Sequence, residues 1–224
     1  MRPILATLIR TLVAMASVIA IVPAPASAHP HVWVNVEATV VYDNGKIVGI
    51  RNKWSFDEMY SAMAITGLDT NNDGVYSREE LADLAKVNME GLEELGYYTF
   101  AKLGKADLKF AKPTEYFHEV DKEGLLTLTF VLPLAEPVLA EAEGFNFAVY
   151  DPSFFIAFVY VKDDPIKLAG APAGCKFFIA VPEKDAEDLK RLNDAFAGQL
   201  TAGDKNAGTG TTFSKTVNVS CGKS

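Results

Sequence analysis

The stretch Asp69-Thr70-Asn71-Asn72-Asp73-Gly74-Val75-Tyr76-Ser77-Arg78-Glu79-Glu80 meets every constraint of D-x-[DN]-x-[DN]-G-x5-E, the EF-hand calcium-loop pattern. Asp69, Asn71 and Asp73 supply side-chain oxygens at loop positions 1, 3 and 5, and Gly74 permits the sharp turn at position 6. Val75 offers its carbonyl, Ser77 binds directly or through a water, and Glu80 closes the shell with both carboxylate oxygens. An all-oxygen cage suits a hard cation, so Ca2+ is the expected cofactor. The chain has a single such loop and its ligand acids are Asp69, Asp73 and Glu80. The expected affinity is therefore weak, on the order of 0.1–1 mM as in extracellular modules. The competing reading is an acidic Asn/Gly turn between two helices, because these residues favour turns by themselves.

The flanks extend the loop into a helix pair over residues 55–96. Ser55-Phe56-Asp57-Glu58 has capping-box spacing, and Phe56, Met59, Tyr60, Met63, Ala64 and Leu68 follow at helical intervals. Met59 and Met63, one turn apart, are read as core rather than as soft metal ligands. Ser77 and Glu80 repeat the capping-box spacing, Leu81, Leu84, Leu92 and Leu95 line the outgoing helix, and Gly96 is its stop signal.

Outside this pair the chain reads as strands, which makes the helices an insertion. Val32, Val34, Val36, Ala38 and Val40 alternate with His31, Trp33, Asn35, Glu37 and Thr39, the period of a half-buried strand. Asp43-Asn44-Gly45 is a hairpin turn, and residues 46–54 return. Further strands are expected at 97–103, 108–111, 116–120, 125–134, 145–150, 154–161, 175–181 and 213–221. Residues 184–200 read as an amphipathic C-terminal helix with Ala186, Leu189, Leu192, Phe196 and Leu200 on one side, and residues 201–212 as a Gly/Ala/Thr-rich loop. The expected fold is mainly β (α+β): an antiparallel β-sandwich with the helix pair between its second and third strands.

Residues 1–28 read as a secretory signal, with Arg2 and Arg10, an apolar run over 11–22, and Ala26-Ser27-Ala28 as the cleavage site. The run is too short for a convincing membrane span. The mature chain then begins at His29 as one domain over 29–224, periplasmic or secreted. Cys175 and Cys221, the two cysteines, are expected to pair in an oxidising compartment. With 29 acidic against 21 basic residues and no basic patch, nucleic acid is not an expected partner.

Taken together, His29-Pro30-His31-Val32-Trp33-Val34, Trp54-Ser55-Phe56-Asp57-Glu58, Gly96-Tyr97-Tyr98 and Tyr150-Asp151-Pro152-Ser153-Phe154-Phe155 resemble the bacterial periplasmic proteins grouped as domain of unknown function 1007. The resemblance runs from His29 to about Val181. It implies a periplasmic component associated with nickel/cobalt-type inner-membrane metal permeases, and carries no enzymatic activity with it.

The three histidines are His29, His31 and His118. Cleavage after Ala28 frees the His29 amine beside two imidazoles, donors suited to Ni2+, Co2+, Cu2+ or Zn2+. Pro30 lacks an N–H and so excludes a square-planar chelate through consecutive amides. What remains is an amine plus imidazoles, with His118 as a possible further ligand. The alternative is that His31 and Trp33 occupy the solvated face of an edge strand and His29 is a frayed terminus. Asp151 is read first as a turn residue and second as a carboxylate ligand. No Ser-His-Asp set, Cys-His pair or phosphate loop stands out, so no catalysis is expected. Two functions follow: a non-catalytic metal-binding accessory of a metal permease, or a calcium-stabilised interaction module with no transition-metal role. A copper-brace enzyme would further require an axial ligand and a flat substrate surface.

Overall fold

The computed structural model describes residues 31–153, 155–180 and 215–222. The signal segment, His29, the 184–200 helix and the 201–212 loop lie outside the described residues. The alternation read in the first strand is the alternation observed. In β1 (Val32–Asp43), Val34, Val36, Ala38, Val40 and Tyr42 are buried, while Trp33, Asn35 and Asp43 are exposed. Asn44 and Gly45 take φ of +46° and +72°, the two left-handed residues that a tight hairpin turn requires. β2 (Lys46–Phe56) pairs antiparallel with β1.

The chain then gives helix α1 (Glu58–Ala64), helix α2 (Ala82–Glu94), a 3-10 turn (Gly96–Tyr98), β3 (Thr99–Leu103), β4 (Ala106–Leu108), β5 (Tyr116–Val120) and β6 (Leu126–Leu139). It continues as β7 (Phe145–Val149), β8 (Ile156–Tyr160), β9 (Ile166–Ala169), β10 (Lys176–Ala180) and β11 (Thr216–Ser220). One sheet has the order β5-β6-β2-β1-β8, with β9 also on β1, and the other β10-β11-β7-β3-β4. Val36 and Val40 of β1, Ile50 and Trp54 of β2, Leu128, Phe130 and Leu132 of β6, Phe145 and Phe147 of β7 and Val217 of β11 meet in one hydrophobic cluster. Two sheets share one core, as in a sandwich.

Strand pairing is antiparallel except that β1 runs parallel to β8 and β9. Those strands follow the segment Tyr150-Asp151-Pro152-Ser153, where the chain leaves the second sheet for the first. β9 escaped the sequence reading because four residues between Pro165 and Gly170 are too few to display alternation. Cys175 and Cys221 are disulfide-bonded, closing the end of the β10–β11 pair.

Three details of the helix pair differ from expectation. Ser55 is a strand residue paired with Asn35 and Thr127, and Asp57 is the N-cap, accepting from Tyr60 N at 2.8 Å. α1 spans only seven residues, so it ends before the loop begins. Met59 and Met63 are 75% and 68% exposed, not core. α1 rests on the sandwich through Ser61 and Tyr60: Ser61 Oγ accepts from Leu126 N and Tyr60 stacks on Phe56. That leaves the methionine side facing outward.

Candidate functional site

The 69–80 loop is wound by its own polar side chains. Asp69 accepts from Asp73 N at 3.2 Å and Gly74 N at 3.0 Å, Asn71 Oδ1 accepts from Asp73 N at 2.8 Å, and Asp73 Oδ1 accepts from Val75 N at 2.7 Å. Short polar side chains that capture nearby amides are what bend an acidic Asn/Gly segment into a coil. Gly74 has φ +81°, which fits the glycine requirement at position 6. The three oxygen-bearing residues are thereby held on consecutive amides of the coil.

Glu80 closes the loop from its far end. Its Oε1 accepts from Thr70 N at 2.8 Å and Thr70 Oγ1 at 2.9 Å, and its Oε2 from Ser77 N at 3.0 Å and Ser77 Oγ at 2.9 Å. Glu80 N in turn donates to Ser77 Oγ at 3.3 Å, so the two residues bond reciprocally as the capping-box spacing predicted, but within the loop: α2 itself starts at Ala82, with Leu81 as its N-cap. Hydrogen bonds from Ser77 and then Thr70 hold the Glu80 carboxyl at about 2, below its ordinary range.

The donor set fits a hard cation in kind: two aspartates, an asparagine, a glutamate, a hydroxyl and the Val75 carbonyl, all on one coil. Among the described residues no three His, Cys, Asp or Glu side chains are gathered as a ready ligand group. The Glu80 oxygens are engaged by Thr70 and Ser77. Presenting both to an ion requires those contacts to loosen.

The histidines are not brought together. His118 is 1% exposed on β5. Its Nδ1 lies 2.8 Å from Thr127 O and its Nε2 2.9 Å from Asn88 Nδ2. Burial lowers its pKa. Both nitrogens are occupied, so His118 is not a free ligand. It also lies far from His31. The register runs His118–Leu128–Trp54–Val36 across three strand spacings, roughly 14 Å, and His31 lies a further five residues, roughly 17 Å, along β1. The expected third imidazole is therefore corrected: His118 is a packed core histidine. His31 is exposed against the Phe155 ring, with centroids 4.8 Å apart. Asp151, 4% exposed, accepts from Ser153 N, Ser153 Oγ and Ile156 N, so turn chemistry occupies it.

Sequence reasoning missed two residues that fasten the loop. Arg78 lies 3.6 Å from the Phe117 ring centroid and pairs with Glu119 at 2.6 Å. Asn88 joins α2 to His118. Asn88 carried a faint signal, an asparagine mid-helix where this residue is disfavoured. Arg78 carried none, because its partners lie 39 and 41 residues away.

The family described as "Protein of unknown function (DUF1007)" matches residues 14–221. An uncharacterised protein of Haemophilus influenzae is 25% identical over 198 residues, covering 87% of this chain and 91% of its own length. An "Uncharacterized 15.5 kDa protein in trpE 3'region" of Spirochaeta aurantia is 29% identical over 106 residues, covering 47% of this chain and 74% of its own.

Proposed function

The chain belongs to the DUF1007 family, and on that premise we propose that it is a non-catalytic, periplasmic accessory protein of an inner-membrane metal transporter, stabilised by one Ca2+ in the 69–80 loop. The observation that carries the calcium reading is the winding of the loop. Asp69, Asn71 and Asp73 each accept a loop amide, and Gly74 makes the left-handed turn between them and Val75. Asp69, Asn71, Asp73, Val75 through its carbonyl, Ser77 and Glu80 would hold the ion. A bound cation supplies positive charge that neutralises the loop's carboxylates and fixes the coil.

The Cys175–Cys221 disulfide supports an oxidising compartment. Among the described residues no helix is long and apolar enough to cross a membrane. The nickel/cobalt-type permease partner rests on the family resemblance, with His29 and His31 as the remaining transition-metal donors. Without metal at that terminus, the calcium-stabilised interaction module is what remains.

The calcium reading is tested by melting the processed protein in chelator and in excess calcium. At a calcium concentration 100 times the dissociation constant, stabilisation is about 2.7 kcal/mol. Glu80→Gln should abolish most of that rise. Identical melting temperatures of the wild type with and without calcium would make the loop an acidic turn only.

A further inference from the structure

Asn88, in the middle of α2, ties that helix to β5. Its Nδ2 is 2.9 Å from His118 Nε2 on β5, and its side chain approaches the Tyr60 phenol on α1. α1 precedes the loop and α2 follows it. One amide thus ties α2, the helix that follows the loop, to the edge strand of the first sheet. Arg78, inside the loop, anchors to the neighbours of His118, over Phe117 and onto Glu119.

The tie is built for a neutral imidazole. Thr127 O only accepts, so His118 Nδ1 carries the ring proton and donates it across 2.8 Å. Nε2 is then an acceptor, and Asn88 Nδ2 donates to it. A second proton on the ring would set an N–H against an N–H. Asn88 must then turn its amide over or part from the ring. The surroundings do little to favour the cation. Phe56 from β2 lies 6.3 Å away, centroid to centroid, and Tyr60 from α1 is a further titratable group on the Asn88 side. Asp57, the N-cap of α1, acts on Tyr60. The Arg78–Glu119 pair belongs to the exposed side of the strand. The Thr127 carbonyl of β6 favours the charged ring, and burial, the larger influence, opposes it.

We propose that this arrangement makes the cation loop proton-regulated. Protonation of His118 disturbs the Asn88 tie, loosens α2 from β5, and weakens cation binding. Bound cation in turn holds His118 neutral, since linkage between two binding events is reciprocal. The inference rests on the calcium reading of the 69–80 loop.

The experiment is a calcium titration of the processed protein and of His118→Gln at pH 7.5 and pH 5.0. His118→Gln keeps every carboxylate of the loop, so it reports any loss of affinity that those groups cause. Between the two pH values the wild type should lose at least about fivefold more affinity than His118→Gln loses, the lower end of usual coupling strengths. An equal loss in both proteins overturns the proposal. Should His118→Gln fail to fold, the His118 ring of the wild type is titrated by NMR with and without calcium. Its pKa should fall when calcium binds, by the logarithm of the same factor, and an unmoved pKa overturns the proposal. Calcium binding at pH 7.5 with an equal loss of affinity in both proteins at pH 5.0 defeats this inference alone. No calcium binding at pH 7.5 defeats the reading beneath it, and the inference with it.

Discussion

Glu80 shows how one side chain serves two states. In the described structure its carboxylate is the lock of the coil, accepting from Thr70 and Ser77. Those bonds hold its pKa at about 2, against about 4.3 for an unperturbed glutamate. A depressed carboxyl contributes stability that is present above the unfolded value and lost as pH falls through the folded one. In chelator, the wild type should therefore exceed Glu80→Gln in melting temperature at pH 6, and the gap should close between about 4.3 and 2. A gap that persists unchanged to pH 2 would assign the stabilisation to packing instead. Gly49 is a second single-residue test. A Cβ there would lie 2.7 Å from Leu132 O on the neighbouring strand, where the β2–β6 register shifts. Gly49→Ala should cost about 1–3 kcal/mol by overpacking, measured by urea unfolding. The winding of the 69–80 loop was legible because its spacing is local. His118 was misread because nothing in its own neighbourhood of sequence reveals Asn88 or Thr127.

At the scale of elements, legibility tracked length and regularity. β1 could be read residue by residue, since an alternation of this length leaves only one face for the core. β5 showed its bounds for the same reason of clear flanking turns, and Gly96, with φ +61°, ends α2 where a left-handed residue was expected. Parallel pairing of β8 and β9 on β1 was not legible, because pairing partners are a property of topology and not of pattern. α1 was overextended for a physical reason: helical spacing continued through Ala64 to Leu68, yet Ile65 caps the helix and Gly67 turns at φ +80°. The β10–β11 pair gives the test at this scale. The Cys175–Cys221 bridge spans a sequence separation of 46, and closing a loop of that length in the unfolded chain is worth roughly 2–4 kcal/mol. Replacing both cysteines by serine should lower unfolding stability by that amount. Thiol labelling of unreduced, denatured wild type should find no free thiol.

Across the whole molecule, the start of β1 and the helical insertion meet at one end of the sandwich. Trp33 N donates to Asp57 Oδ2 at 2.8 Å, and Asp57 N donates back to Trp33 O at 3.0 Å. His31 thus enters β1 beside the N-cap of α1, while His118 points into the core several strands away. If the processed terminus holds a transition metal, its donors are the His29 amine and the His29 and His31 rings, without His118. Binding of nickel, copper, cobalt or zinc should weaken at acidic pH, because protonated rings do not ligate. The amine must also lose its proton, so the dependence should continue up to about 8. One residue added before His29 keeps both rings and displaces the amine, and should weaken binding strongly. His118→Gln should leave that affinity unchanged, which separates the terminus from the calcium loop and its tie. Equal binding by the extended and processed proteins would rule out the amine chelate. Absence of binding by either would leave the calcium loop as the only metal site to test, and the interaction module as the better account.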